Sequence, residues 1–120
     1  MENYEVKSVD FKHYDNRGCL YQLVHGGYQQ INILESNKGV IRGKHYHKIS
    51  KEAFFIVRGA VKVTLGIGNG REEVCFGEGA FFEIKPYVMH SFYFIEDCIM
   101  VVMYDIPVDN SNGEMDIYSE

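Results

Sequence analysis

An antiparallel β-sandwich or β-barrel, built as one domain, is the architecture that this 120-residue chain predicts. Three observations lead there. The chain holds two prolines against 12 glycines, nine tyrosines and eight phenylalanines, a mixture that favours pleated strands and tight turns over helix. No window keeps apolar residues at a 3.6-residue period between helix caps. Short apolar and aromatic segments recur instead, each closed by turn residues, as in small sandwiches and barrels. The length suits a single domain with a core that needs neither a disulfide nor a structural metal, whereas two domains would each be marginal.

The elements follow in order. A first strand is expected over 4–11, then the turn Asp15-Asn16-Arg17-Gly18. Strands over 20–24 and 30–34 come next, the second closed by Ser36-Asn37-Lys38-Gly39. A strand over 51–57 turns at Arg58-Gly59 into one over 60–65. The glycine-rich Gly66-Ile67-Gly68-Asn69-Gly70 follows a strand but opens no helix, so it reads as a hairpin loop and not as a dinucleotide-binding turn. Strands over 73–76, 80–84, 91–95 and 98–104 complete the set, with Gly77-Glu78-Gly79 between the first two. From Asp105 the chain turns polar and acidic, with a loop over 109–114, so the core is expected over 5–105 and a polar tail over 106–120. Two strands, Ala53-Phe54-Phe55-Ile56-Val57 and Ile99-Met100-Val101-Val102-Met103, are apolar on both faces. A two-layer fold buries only one of those faces. A partner subunit is the expected cover for the other, which predicts a homodimer.

Charge and composition exclude several function classes. Twelve basic residues against 17 acidic ones leave a formal net charge of −5, the opposite of the basic footprint of a non-specific nucleic-acid binder. No apolar run approaches the roughly 18 residues that span a bilayer, so no membrane partner is expected. Met1-Glu2-Asn3-Tyr4-Glu5 lacks the basic and apolar regions of a secretory signal. Cys19, Cys75 and Cys98 are odd in number and form no CxxC pair, which predicts reduced thiols in a cytoplasmic protein. Cys75 and Cys98 fall in strands and read as inert core thiols.

The chemistry concentrates around His45 and His47. On a strand these residues, two apart, point to one face and bring both imidazoles into one cavity. Glu52 follows after a short polar connection, and His90 comes later with Phe92 and Phe94 at the same strand parity as cavity wall. Three imidazoles and a carboxylate form a complete set for a borderline divalent metal such as Zn, Ni, Fe or Mn. The same carboxylate would serve equally as a hydrogen-bond partner that orients His45 or His47 with no metal at all. Between Ser36 and Lys51 lie Lys38, Arg42, Lys44, Lys48 and Lys51 and no acidic residue. Such a local excess suits an anionic ligand, and Arg42 beside Gly43 suits a bidentate phosphate contact. His13 and His25, near turns, read as surface or packing histidines, and Tyr28 carries little weight by itself.

The spacing Gly39, five residues, His45-Tyr46-His47, four residues, Glu52, six residues, Gly59 resembles the first signature motif of the cupin superfamily. Gly79, five residues, then Lys85-Pro86-Tyr87-Val88-Met89-His90 resembles the second more loosely. The resemblance implies a cupin fold, a small double-stranded β-helix or jelly-roll barrel. Two further strings resemble one branch of it. Asp15-Asn16-Arg17-Gly18-Cys19-Leu20 is similar to the start of nucleotide-sugar epimerases and ketoisomerases. Gly39-Val40-Ile41-Arg42-Gly43-Lys44-His45-Tyr46-His47-Lys48 resembles both dTDP-4-keto-6-deoxyhexose 3,5-epimerases and sugar-nucleotide 3,4-ketoisomerases.

That branch implies an isomerase or epimerase of a nucleotide-linked 4-keto-6-deoxy sugar in cell-surface polysaccharide biosynthesis, with a nucleotide-diphosphate sugar as its ligand. His45 and His47 match the ketoisomerases' active-site histidines, and His45 alone matches the epimerases' base. Both reactions remove a proton beside the C4 ketone, work that suits histidine at its ordinary pKa. Epimerisation also needs a proton from the opposite face, for which Tyr104 and Tyr46 are the candidates. Arg42, Lys44, Lys48 and Arg17 are the candidates for holding substrate oxygens or the enolate. No cofactor is required if the chain works as the ketoisomerases do, whereas His45, His47, Glu52 and His90 would hold the metal if one is bound. Two other readings of the same residues stay open: a metal-binding cupin that holds a small ligand without catalysis, and a metal-dependent oxygenase.

Overall fold

The computed structural model describes residues 2–109 and 113–119. Among the described residues twelve strands, numbered in chain order, form two facing five-stranded antiparallel sheets and one separate hairpin. One sheet is ordered β1 (Tyr4–Val6), β9 (Phe81–Ile84), β6 (Glu52–Arg58), β11 (Cys98–Tyr104), β4 (Gln30–Ser36). The other is ordered β12 (Tyr118–Ser119), β5 (Ile41–Tyr46), β10 (His90–Phe94), β7 (Ala60–Leu65), β8 (Glu72–Gly77). From β4 onward most connections cross from one sheet to the other, so sequence neighbours seldom pair and the two sheets interleave as a jelly roll. The all-β expectation holds. Among the described residues no helix is long and apolar enough to cross a membrane.

Strand parity builds the core. In β7, Val61, Val63 and Leu65 point inward and are fully buried while Lys62 and Thr64 alternate outward. In β10, His90, Phe92 and Phe94 point inward in the same way. Phe82 lies at the centre, stacked on Phe76 at 3.8 Å and on Phe54 at 5.2 Å between ring centroids. The turn between β6 and β7 needs its glycine: Gly59 has φ +99°, and a Cβ there would lie 2.3 Å from the Asp97 carbonyl oxygen.

Several boundaries differ from the sequence expectation. The strand expected over 4–11 is two: β1 pairs with β9, the chain leaves the sheet after Val6, and β2 (Phe11–Asp15) pairs instead with β3 (Gly18–Gln22) around the expected turn. The segment that carries the histidines is a strand in its own right, β5, which ends at Tyr46, one residue before His47. The second face of β6 and β11 needs no partner subunit for its cover. Ala53, Phe55, Phe81 and Met103 form a second buried cluster on that face, packed under the chain's own Val9, Leu23, Val24 and Tyr28. Of the two strand thiols, Cys98 is buried but Cys75 is exposed, because β8 is an edge strand with an open outer face.

The tail assigned to 106–120 is also more than a tail. Val108 joins the main core, Asp116 is buried, and Tyr118–Ser119 adds a strand to the edge of β5. The polarity of this segment serves hydrogen bonds to the barrel and not solvent alone. Of the loop expected over 109–114, residues 110–112 lie outside the described residues.

Candidate active site

One end of the barrel opens into a cavity of about 630 Å³ between the two sheets. Its polar end is lined by Arg42, His45, Glu52, His90 and Tyr104, and its apolar wall by Phe54, Phe92, Phe94 and Val102. Register explains the convergence. Tyr104 of β11 pairs directly with Glu52 of β6, and His90 of β10 pairs with His45 of β5. Each sheet therefore presents two polar side chains to the same space.

Arg42 and His45 share the cavity despite being three residues apart, which simple alternation forbids. A β-bulge resolves the conflict. The β5–β10 register slips so that His90 faces His45 while Ser91 faces Gly43, which leaves Lys44 as the extra residue. Lys44 takes φ +65° and Gly43 φ +99°. Parity flips across the bulge, so Arg42 points inward on one side of it and His45 on the other. Arg42 is steadied at the cavity mouth by its Nε donating to Ser36 Oγ at 3.0 Å.

Behind the rim the imidazoles are tightly organised. His47 donates through Nδ1 to the Asp116 carbonyl oxygen at 2.6 Å and through Nε2 to Glu52 Oε1 at 2.9 Å. A ring that donates from both nitrogens is an imidazolium. Burial works against that charge, but the hydrogen bond and charge of Glu52 outweigh it and raise the His47 pKa. His90 donates through Nδ1 to the Val88 carbonyl oxygen at 3.0 Å. Its Nε2 lies 3.2 Å from Glu52 Oε1, buried and with no hydrogen-bond partner. Burial also opposes the Glu52 charge, yet His47 and His90 hold its pKa down at about 2. His45 stands apart. Burial, then the neighbouring His90, push its pKa down to about 4, so at neutral pH it is an uncharged imidazole facing the cavity. Tyr104 lies edge-on to His47, and burial with the facing Glu52 carboxylate raises its pKa, keeping the hydroxyl protonated.

The structure brings six of the residues singled out from the sequence to this end of the barrel: Arg42, His45, His47, Glu52, His90 and Tyr104. Four lie elsewhere. Tyr46 alternates to the outer face, stacked between Tyr87 and Tyr118. Lys48 sits over the Tyr118 ring at 4.1 Å. Lys44 lines a second pocket, with Thr64, Arg71 and Ser119. Arg17 is exposed at the tip of the β2–β3 hairpin, paired with Asp15 at 2.7 Å. The basic stretch around the histidines thus reaches the cavity only through Arg42, because alternation and the loop after β5 send its lysines outward. Among the residues that the sequence did not flag, Phe54 and Asp116 belong to the site. Phe54 was legible, two residues from Glu52 on the same strand. Asp116 was not, since nothing near it in sequence marks it as a partner of His47.

Two interleaved antiparallel sheets enclosing a histidine- and glutamate-lined cavity define a cupin jelly roll. Within that class, the chain belongs to the family described as polysaccharide biosynthesis C-terminal domain, whose model matches residues 13–104. No curated protein matches the chain by sequence. Similar solved structures share its fold at low identity. A mutant 3,4-ketoisomerase from Thermoanaerobacterium thermosaccharolyticum, in complex with TDP-4-keto-6-deoxyglucose, superposes with a TM-score of 0.84 at 18% identity, covering 100% of this chain and 89% of that one. A 3,4-ketoisomerase from Helicobacter canadensis gives 0.82 at 17% identity over 100% and 92% of the two chains. The dTDP-4-dehydrorhamnose 3,5-epimerase from Sulfolobus tokodaii gives 0.68 at 19% identity over 86% and 75%.

Proposed function

We propose that this chain is an isomerase or epimerase of a nucleotide-linked 4-keto-6-deoxy sugar, the class of compound bound in the ketoisomerase structure it resembles. The observation that carries the reading is His45: a neutral imidazole at the polar end of a sugar-sized cavity, with Arg42 at the mouth. His45 takes the proton from the carbon beside the C4 ketone, and the electron pair moves onto the ketone oxygen as an enolate. The imidazolium of His47 and the protonated Tyr104, close behind, offset the developing negative charge. The proton of the C3 hydroxyl passes to the C4 oxygen as C3 becomes the ketone, and His45 returns its own proton to C4, which completes a ketoisomerisation on one face. Epimerisation needs a donor on the other face, a role for which Tyr104 is the available hydroxyl. Arg42 holds a phosphate or sugar oxygen.

The test is incubation with dTDP-4-keto-6-deoxyglucose in D2O followed by NMR. Deuterium at C3 or C5, or a new ketosugar, is the expected result, and His45→Asn should lower the rate by about 10²–10⁴-fold. No exchange, with related nucleotide 4-ketosugars also inert, overturns the reading.

One observation favours a second reading. His47 and His90 both commit Nδ1 to a backbone carbonyl and aim Nε2 inward, the arrangement metal-ligating histidines adopt. His90 Nε2 is otherwise unpartnered, and ligand atoms of His45, His47, Glu52 and His90 all lie within 4.8 Å of one another. Three nitrogens and a carboxylate fit a divalent Zn, Ni, Fe or Mn ion. A metal there would supply Lewis-acid polarisation of a ligand oxygen. It would also occupy His45, so the chain would act as a metal-binding cupin or an oxygenase and not through a free histidine base. Elemental analysis of protein purified without an affinity tag separates the two. Stoichiometric iron with oxygen consumption supports the oxygenase, another bound metal without turnover supports the binding protein, and metal-free turnover supports the isomerase.

We also propose that the working unit is a homodimer. The outer apolar layer over Met103 and Phe55 continues onto Ile31 and Ile33 of edge strand β4, 61% and 73% exposed. The β2–β3 hairpin is likewise apolar and exposed at Phe11, Tyr14 and Leu20, and an isolated two-stranded ribbon is marginal in water. A second copy laid on this face would bury both.

A further inference from the structure

The loop after β5 carries three consecutive amides, those of Lys48, Ile49 and Ser50, that all point at the Asp116 carboxylate. Lys48 donates to Oδ1 at 2.9 Å, and Ile49 and Ser50 donate to Oδ2 at 3.0 and 2.9 Å. Successive amides turned inward form an anion-binding nest, and here the anion is a side chain brought from 66 to 68 residues away. The same residue's backbone carbonyl takes the Nδ1 proton of His47. Its own amide donates to the Val108 carbonyl at 2.6 Å, the Val108 amide donates to Gln30 Oε1 at 3.0 Å, and Tyr118 and Ser119 pair with Tyr46 and His45. Asp116 is therefore tied to the barrel on both sides and is 8% exposed. Burial works against its charge, but the three amides prevail and hold its pKa below the ordinary value.

We propose that Asp116 is a positioning residue: by filling the nest of amides and accepting the Nδ1 proton, it holds the His47 ring with Nε2 on Glu52 and so sets the polar end of the cavity. Asp116 touches no substrate and acts through His47. The kinetic consequence rests on the isomerase reading given above. The placement of the ring does not, because Nδ1 keeps its proton whether Nε2 meets a carboxylate or a metal.

The test uses the full chain, labelled with 15N, and the near-isosteric Asp116→Asn, whose amide presents a donor to at least one of the three amides. In the wild type a His47 Nδ1–H resonance, assigned by its loss in His47→Gln, should be protected from exchange with solvent. In Asp116→Asn it should disappear or exchange at least about tenfold faster, and kcat should fall by about 10–100-fold with KM within about twofold. An unchanged ring signal overturns the proposal, as does a lost ring signal with unchanged kcat. Should Asp116→Asn fail to fold, hydrogen exchange on the wild type decides. The His47 ring proton should open together with the amides of Asp116 and residues 48–50, and a ring proton that outlasts the Asp116 amide overturns the idea. A wild type that turns over no nucleotide 4-ketosugar overturns the isomerase reading instead, and leaves the ring signal to judge the role of Asp116.

Discussion

His45 and His47, two residues apart, carry different charges because each meets a different neighbour. His47 has a carboxylate on one nitrogen and a carbonyl on the other, and becomes a cation. His45 has burial and a nearby imidazole, and stays neutral. Glu52 is the hinge of this division. Glu52→Gln keeps the shape but removes the counter-charge of a buried cation, and we expect a loss of about 3–5 kcal/mol in urea unfolding of the metal-free protein. A half-buried carboxylate contact lies on the other side of the same sheet, where Tyr28 donates to Glu83 at 2.7 Å. Burial, then the hydrogen bond to Glu83, raise the Tyr28 pKa well above its ordinary value. A raised pKa means stability present below pH of about 10 and lost as pH climbs towards the folded-state value, because a tyrosinate would face Glu83. Urea midpoints between pH 8 and 11 should thus fall more steeply for the wild type than for Tyr28→Phe. At pH 8 the variant should be weaker by about 1–3 kcal/mol, since Glu83 loses its donor.

Among the elements, β5 does most to make the site, and it does so through a defect. A regular strand would place Arg42 opposite to His45; the bulge at Gly43-Lys44 places them together. Gly43 is fitted closely against β10, where a Cβ would lie 3.0 Å from the His90 carbonyl oxygen and 3.2 Å from the Ser91 Cα, in a backbone conformation with φ +99°. Gly43→Val should cost about 1–3 kcal/mol and lower turnover out of proportion to its effect on folding, because it displaces His90 and Arg42 together. Thermal unfolding and turnover on one preparation check this. The proximity of His45 and His47 was legible from their two-residue spacing, although β5 ends between them, as was the cavity parity of His90, Phe92 and Phe94. The bulge was not. Whether a glycine begins a bulge depends on the register of the strand beside it, and β10 comes some 45 residues later. The tail was misread for a related reason: polar residues usually face water, and only the nest of amides at 48–50 makes a buried Asp116 favourable.

For the whole molecule, the apolar second faces of β6 and β11 foretold a cover, and the cover turned out to be the chain's own residues between Val9 and Tyr28. What stays open is the rim at Ile31 and Ile33 and the extended hairpin. If a second copy covers them, Ile33→Asp combined with Leu20→Ser should convert a dimer into a monomer in light scattering without changing the far-UV spectrum. A wild type that is already monomeric at tens of micromolar overturns the dimer.

The pattern of short apolar strands and turns determined an all-β sandwich or barrel, and the histidine spacing, through its resemblance to the cupin signature, pointed to a jelly roll with a histidine cavity, because alternation, turn chemistry and motif spacing are local and written in neighbouring residues. Tertiary structure alone decided which charges reach that cavity, which imidazole is a cation, and that a residue near the C-terminus holds His47. Those outcomes depend on register, burial and hydrogen bonds between segments far apart in the chain, and no local pattern encodes them.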